Sequence, residues 1–210
     1  MTGHFIDFFI HLDVHLGAMI RHYGAWTYLA LSLIIFCETG FVVTPFLPGD
    51  SLLFAAGAFA AKGALDIRSL LFFLSAAAVA GNVVNYQIGY FAGPRVFHSD
   101  RVRLLNRRHL EETHRFYEKW GPITIVLARF MPIIRTFAPF LAGVGRMAYW
   151  KFSLYNAVGS VAWVSVLTLG GYFFGNIPGV RKNFSLVVLA IIVISLLPPA
   201  IAFFRARARK

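Results

Sequence analysis

The apolar runs of this chain come in two lengths, and the short ones most constrain its fold. Residues 52–61 form an apolar run of ten residues, which follows a proline-rich break at residues 44–51. Ten helical residues extend about 15 Å, half the thickness of a hydrocarbon core. Broken backbone at membrane depth is tolerated only where it is buried in protein or lines a wet cavity. The sequence therefore predicts a re-entrant hairpin at residues 41–62, which enters and leaves the bilayer on one face.

The same pattern returns in the second half of the chain. The apolar runs 123–131 and 137–144 are too short to span, and residues 132–136 interrupt them. This predicts a second re-entrant hairpin at residues 121–145. Prolines, glycines and one threonine are expected to provide the breaks and close packing of the two hairpins: Pro45, Pro48, Gly49, Gly57, Pro132, Thr136, Pro139 and Gly143.

Composition shows that the longer runs belong to a membrane protein. Apolar residues make up 58% of the chain and charged residues only 14%, against about 25% charged residues in soluble domains. This excludes a soluble enzyme and a disordered chain. We expect an all-α integral membrane protein with a single membrane domain. Its predicted crossings are residues 25–43, 69–93, 152–175 and 184–204.

An internal repeat relates the two hairpins. The crossing after the first hairpin ends in GYFAG at residues 89–93, and the crossing after the second ends in GYFFG at residues 171–175. A hairpin returns to its own face and the next helix crosses, so the second unit begins on the opposite face. The sequence thus predicts an inverted repeat, which many secondary transporters use to build a site near the bilayer midplane.

The basic residues predict an orientation. A basic amphipathic linker at residues 94–120 and a basic tail at residues 205–210 fall on one predicted face, which carries 14 Lys and Arg residues against 4 on the other. The positive-inside rule then places both termini in the cytoplasm. Attraction to an anionic leaflet explains the net charge of +11, so nucleic acid is not an expected partner.

The N-terminal segment is expected to lie on the bilayer. Residues 4–22 are amphipathic but too short and polar to cross, which is typical of an interfacial helix. On a helix, five polar residues share one stripe: His4, Asp7, His11, His15 and His22. A solvated face is the favoured interpretation, and a metal site is the alternative.

Four ionisable residues interrupt the apolar hairpin regions: Glu38, Asp50, Arg129 and Arg135. A charge at membrane depth costs at least ~2.5 kcal/mol. The two acids belong to the first repeat unit and the two bases to the second, so the charges would compensate if the two hairpins meet tip to tip. Such a site suits an anion at the arginines, whose planar fork matches phosphate, with a titratable carboxylate nearby.

Structural roles are the alternative for each of these residues. Asp50 follows a Pro-Gly pair and would serve as a helix cap. The two arginines would bind carbonyl groups of a broken hairpin, and Glu38 would be the partner of an arginine. Cavity lining and interhelical hydrogen bonding are equally open for three asparagines in the crossings: Asn82, Asn85 and Asn156.

Two long segments carry a family resemblance. Residues 38–51 read ETGFVVTPFLPGDS, and residues 129–143 read RFMPIIRTFAPFLAG. Both resemble the signatures of the DedA family of bacterial inner-membrane proteins, and the resemblance extends over nearly the whole chain. It implies a lipid transporter linked to envelope maintenance, proton-motive force and resistance to cationic antimicrobials. Some members return undecaprenyl phosphate to the cytoplasmic leaflet.

The resemblance also assigns roles to residues. The functional acidic pair of the family matches Glu38 and Asp50, and its arginine pair matches Arg129 and Arg135. Asn82 stands where an acid is expected in close relatives, which argues against a proton relay at that position.

Together, residues and resemblance predict a flippase of a polyprenyl phosphate carrier lipid. Arg129 and Arg135 would bind the phosphate headgroup, while Glu38 and Asp50 couple transport to protons or a monovalent cation. A proton-coupled cation antiporter using the same residues is the alternative. A lipid-phosphate enzyme is disfavoured, because no nucleophile–base pair is expected at membrane depth. No cofactor or metal is expected, and a second copy of the chain is a candidate partner.

Overall fold

The computed structural model describes residues 12–41, 49–97, 123–129 and 132–175, with residues 177, 178, 180, 187 and 190. Among these residues the regular elements are helices, as predicted: α1 (Leu12–Tyr23), α2 (Trp26–Gly40), α3 (Gly49–Ala61), α4 (Ile67–Phe97), α5 (Ile123–Ala128), α6 (Pro132–Val144) and α7 (Tyr149–Phe174). Several predicted features lie wholly or largely outside the described residues: Pro45, Pro48, the linker after residue 97, the crossing at 184–204 and the tail at 205–210.

Two helices are long and apolar enough to cross a membrane. The apolar stretch of α4 runs over 26 residues, Ile67–Ala92, and that of α7 over 26 residues, Tyr149–Phe174. Both exceed the roughly 20 residues that a crossing needs, and they cover the segments predicted to cross at 69–93 and 152–175. Helix α4 continues to Phe97, so the predicted linker begins as an extension of the crossing helix.

The other apolar helices are short. Helix α2 has 15 residues, which is less than a perpendicular crossing requires, so the crossing at 25–43 stays a prediction. Helix α3 has 13 residues and agrees with the short run that suggested a hairpin. The other arm of that hairpin, residues 42–48, lies outside the described residues.

The break in the second hairpin region was predicted at the wrong place. Helix α5 ends at Ala128 and α6 begins at Pro132, so residues 132–136 are helical and the interruption lies before them. Proline is well suited to the first helical position, because the N–H it lacks has no intrahelical partner there. Pro132 therefore starts a helix, and Pro139 lies inside the same helix instead of interrupting it.

The chain forms two compact units, and α2, α4 and α7 contribute residues to both. The first unit comprises Met1–Ile35, Phe46–Ala77 and Val161–Lys210, and the second comprises Phe36–Pro45 and Ala78–Ser160. In the first unit, α1 packs on α3 where a Cβ on Gly17 would lie 3.4 Å from the ring of Phe59. Leu16 is buried there. Helix α1 thus has a protein-facing side within the predicted interfacial segment.

In the first unit, α3 packs closely against the C-terminal part of α7. A Cβ on Gly57 would overlap the carbonyl oxygen of Thr168 and lie 3.0 Å from the backbone nitrogen of Tyr172. A Cβ on Gly171 would overlap the carbonyl oxygen of Phe54. These two glycines let the backbones touch, and we call this contact the first glycine seam.

The second unit contains an equivalent contact between α6 and α4. A Cβ on Gly143 would overlap the carbonyl oxygen of Tyr86 and lie 2.7 Å from the backbone nitrogen of Tyr90. A Cβ on Gly89 would overlap the carbonyl oxygen of Phe140. In this second glycine seam, as in the first, a 13-residue helix packs on the first glycine of a GYF segment. The repeated motif is therefore a helix-packing motif.

Candidate functional site

A buried ion pair joins α2 to α6 in the second unit. A terminal nitrogen of Arg135, Nη2, donates to Oε1 of Glu38, although the two residues are 97 positions apart. Both are buried: Glu38 is 0% and Arg135 7% exposed. A buried pair of this kind is costly to break, because removing one partner leaves the other charge without compensation. It therefore fixes the end of α2 beside the start of α6.

Arg129 follows α5 and has a neutral partner. Its Nη2 donates to Oδ1 of Asn156 at 2.6 Å, and its side chain is only 4% exposed. Gly159 on α7 lies beside it, since a Cβ there would be 3.5 Å from Cγ and Nε of Arg129, an ordinary van der Waals contact. Among the residues that the structure describes, no carboxylate lies within ion-pair distance of Arg129. None of the described carboxylates therefore forms an ion pair with the Arg129 guanidinium.

Asn156 is oriented by several hydrogen bonds. Besides Arg129, its Oδ1 accepts from Nδ2 of Asn82 at 2.9 Å and from Oγ of Ser160 at 3.2 Å. Its Nδ2 donates to the carbonyl oxygen of Val79 at 3.1 Å. An amide has one acceptor end and one donor end, so these partners fix which end faces Arg129. Asn82 and Asn156 form interhelical hydrogen bonds, one of the two roles that the sequence left open.

Asn85 forms hydrogen bonds with both helices that carry the ion pair. Its Nδ2 donates to the carbonyl oxygen of Thr39 at 3.0 Å and to that of Thr136 at 2.8 Å. Each acceptor is the immediate chain neighbour of a residue in the Glu38–Arg135 pair. One buried side chain therefore holds both backbones that position the pair. Thr136 was predicted only as a hairpin residue, and its backbone carbonyl is one of the two acceptors of Asn85.

Asp50 lies in the first unit. It belongs to the first turn of α3, where a carboxylate is favoured by the helix dipole. Its Oδ1 accepts a hydrogen bond from Nε1 of Trp163 at 3.0 Å, across 113 positions of sequence. Trp163 is 2% exposed. The sequence gives no signal for this contact, because no local pattern links two residues so far apart.

Three of the four predicted charged residues thus share the second unit. Arg129 lies close enough to Arg135 and Glu38 to interact with both charges. Among the buried groups that the structure describes in the second unit, two guanidinium groups accompany one carboxylate, and we call these three residues the arginine cluster. A buried excess charge is unfavourable unless a counter-charge joins it. The cluster is therefore chemically suited to an anion.

The described residues offer no comparable site for a metal. Within them, no group of three or more His, Cys, Asp or Glu side chains could hold a metal ion. His4 and His11 of the predicted stripe lie outside the described part of the chain.

Comparison with known proteins identifies the family. Residues 47–173 match the family model of the VTT domain. Protein DedA of Escherichia coli (strain K12) is 50% identical over 202 residues, which cover 95% of this chain and 92% of that protein. The chain belongs to the DedA family. Every charged residue of the site except Glu38 lies inside the matched VTT region.

Other DedA-family relatives are membrane proteins. An uncharacterized membrane protein of Mycobacterium leprae is 43% identical over 173 residues, covering 82% of this chain and 78% of that protein. Inner membrane protein YghB of E. coli is 30% identical over 177 residues, covering 84% and 78% respectively. No solved structure matches this DedA-family chain. With its two long apolar helices, the chain is an integral membrane protein.

Proposed function

We propose that this DedA-family protein transports a polyprenyl phosphate carrier lipid, undecaprenyl phosphate, across the bacterial inner membrane, with both chain termini in the cytoplasm. The observation that carries the proposal is Arg129. Its guanidinium is buried and bonded to a neutral amide, beside an arginine already paired with Glu38. The cluster therefore attracts an anion, and its membrane setting favours one attached to a lipid.

Phosphate suits this cluster better than other common anions. Arginine donates two parallel hydrogen bonds to phosphate oxygens, and two arginines can share one headgroup. The polyprenyl tail is hydrocarbon and stays in the bilayer, so only the headgroup has to enter the protein. A cation antiporter fits less well, since a cation would have to approach a cluster with an excess of positive charge.

The Glu38–Arg135 pair supplies a route to proton coupling. Phosphate and the Glu38 carboxylate compete for the same guanidinium. Protonation of Glu38 removes its charge and weakens its hold on Arg135, which frees the arginine for phosphate. Proton binding and phosphate binding therefore favour each other. Asp50 is the second titratable group of the proposal, and its carboxylate is held by Trp163.

Lipid binding to the purified protein tests the arginines. Arg135→Lys keeps the charge but loses the fork, so affinity for undecaprenyl phosphate should fall, and Arg129→Ala should lower it further. Arg68→Ala is a control, because Arg68 is exposed near the start of α4. Thermal melting identifies folded variants. Wild-type affinity in both folded cluster variants would assign the arginines to structure and refute the phosphate site.

Transport in proteoliposomes tests the carboxylates. Glu38→Gln and Asp50→Asn remove titration while keeping side-chain shape. Both variants should bind the lipid and lose the response of transport to an imposed pH gradient. If folded variants keep the full gradient response, proton coupling does not depend on these residues.

A further inference from the structure

The two 13-residue helices end in the same capping motif. At the end of α3, the N–H of Ala64 donates to the carbonyl of Phe59 at 3.1 Å and that of Gly63 to the carbonyl of Ala60 at 2.9 Å. This is a Schellman motif, whose penultimate donor residue adopts a left-handed conformation. That residue is Gly63, with φ of +74°. Glycine is the usual choice because it has no Cβ to clash.

At the end of α6 the same motif carries an arginine. The N–H of Met147 donates to the carbonyl of Ala142 at 2.9 Å and that of Arg146 to the carbonyl of Gly143 at 3.0 Å. Arg146 takes the left-handed position, with φ of +51°. A long side chain is disfavoured there relative to glycine or asparagine. A strained residue in an otherwise ordinary cap points to a use for its side chain.

The Arg146 side chain lies beside an aromatic groove. Its guanidinium carbon is 5.5 Å from the centroid of the Tyr90 ring, and the residue is exposed. The groove has a volume of about 480 Å³ and is lined by Tyr86, Gln87, Tyr90, Phe91, Met147 and Tyr149. It combines a mainly aromatic and apolar lining with a cation at its rim.

The groove is held in shape by packing within the second unit. The hydroxyl of Tyr86 donates to the carbonyl oxygen of Met147 at 2.6 Å, and the rings of Tyr86 and Phe152 stack with centroids 4.4 Å apart. Tyr86 and Phe152 are both buried. The lining is therefore preformed, which lowers the entropic cost of binding a ligand.

Its position corresponds to a boundary between membrane and water. The apolar stretch of α4 ends at Ala92 and that of α7 begins at Tyr149, and the rings of Tyr86 and Tyr149 lie 5.8 Å apart. The end of the apolar stretch of α4 and the start of that of α7 therefore lie at the same depth in the bilayer. Phe91 and Trp150 are 70% and 65% exposed there, as expected for the aromatic belt at a bilayer surface.

We propose that this groove binds a glycerophospholipid with an anionic headgroup. Arg146 would contact the lipid phosphate, and exposed Lys151 adds a second positive charge near the same surface. The part of an acyl chain nearest the headgroup would lie along Tyr86, Tyr90 and Phe91. The site shares no residue with the arginine cluster, so it stands or fails independently of the carrier-lipid proposal.

Binding of phosphatidylglycerol and phosphatidylcholine to the full-length protein in detergent tests the site. Wild type should prefer phosphatidylglycerol, and Arg146→Gly should bind it about fivefold more weakly, the effect of one basic residue at an anionic surface. Arg146→Lys should retain most of the preference. Without lipid, the melting temperature of Arg146→Gly should not fall, because glycine suits the left-handed position. Loss of lipid binding without loss of stability separates a ligand role from a structural one.

Controls distinguish the lipid from other occupants. Arg68→Gln removes an exposed charge near the start of α4 and should keep the wild-type preference. The proposal is overturned if wild type shows no preference, if Arg146→Gly keeps it, or if Arg68→Gln loses it equally. Equal competition by inorganic phosphate would indicate a simple anion site, and Arg146-dependent self-association without lipid would indicate an interface between copies; either result also refutes the proposal.

Discussion

The two glycine seams show the same packing with different chemistry beside it. In each, the short helix presents a Phe-x-x-Gly segment, Phe54 to Gly57 or Phe140 to Gly143, and a long helix presents the first glycine of its GYF motif. The glycine of each helix meets a carbonyl oxygen of the other. The repeat therefore duplicates a way of packing a short helix onto a long one.

The polar groups around the seams are not duplicated. Among the described residues, the second unit buries Arg129, Arg135 and Glu38 with three asparagines, whereas one of the polar contacts of the first unit joins Asp50 to Trp163. Shared packing therefore sets the scaffold, and buried charges distinguish the second unit from the first among the described residues.

The largest effect is expected at the seams themselves. Gly171→Ala should abolish folding or lower stability by about 3 kcal/mol or more, since the new Cβ meets backbone that cannot rotate away. Gly143→Ala should behave alike in the second seam. Gly170→Ala is the matched control, because nothing lies within 4 Å of its Cβ position. Detergent melting curves measure all three, and a tolerated Gly171→Ala would show that the seam is looser than described.

The next effect belongs to the charged unit alone. Arg135→Gln should destabilise the protein by about 3–5 kcal/mol, because it leaves the buried Glu38 carboxylate without its ion-pair partner. Adding Glu38→Gln should restore at least half of the loss. Chemical or thermal unfolding of the two variants measures the coupling. Additive losses would mean that the residues do not act as a pair.

A smaller effect is expected for the polar contact of the first unit. Trp163→Phe keeps the ring in the core but removes the donor to Asp50. The expected loss is about 1.5–3 kcal/mol, the range for a hydrogen bond to a charged group. Adding Asp50→Asn should give a combined loss smaller than the sum of the two single losses, since both changes remove the same hydrogen bond. A full additional loss would place the main contact of Asp50 elsewhere.

The smallest effect is a difference in pH dependence between the starts of the two crossing helices. Asp66 caps α4, with Oδ2 accepting from the N–H of Ser69 at 2.7 Å, whereas Ala148 stands at the same position before α7. The backbone hydrogen bond from Ser69 lowers the pKa of Asp66 below its usual 3.8. The cap's contribution is therefore present above pH 3.8 and is lost as the pH falls through the lower folded-state value.

Asp66→Asn keeps a capping side chain without titration. Its melting temperature should fall less than that of wild type on acidification below about pH 4. If the melting temperatures of the two proteins fall equally on acidification, Asp66 does not contribute to the pH dependence of stability.

Lengths of apolar runs predicted the two long helices and the short helix α3, because a ten-residue run cannot cross a bilayer whatever its partners. They also located the charged residues of the site. They misplaced the second break, since proline interrupts a helix but also begins one, and Pro132 does the latter. The partners of Arg129 and Asp50 could not be predicted. They lie on α7, and packing between distant segments decides which face of that helix presents Asn156 or Trp163.

The central claim is that the arginine cluster keeps one positive charge for a lipid phosphate. Asn156→Asp tests it most directly, because it places a carboxylate against Arg129 without removing any arginine. Equilibrium binding of undecaprenyl phosphate to the purified variant should be weaker by about tenfold or more. Thermal melting checks that the variant is folded, because Asn156→Asp also loses the donor to the carbonyl oxygen of Val79. Wild-type affinity in folded Asn156→Asp would contradict the account, because the excess charge would then play no part in binding.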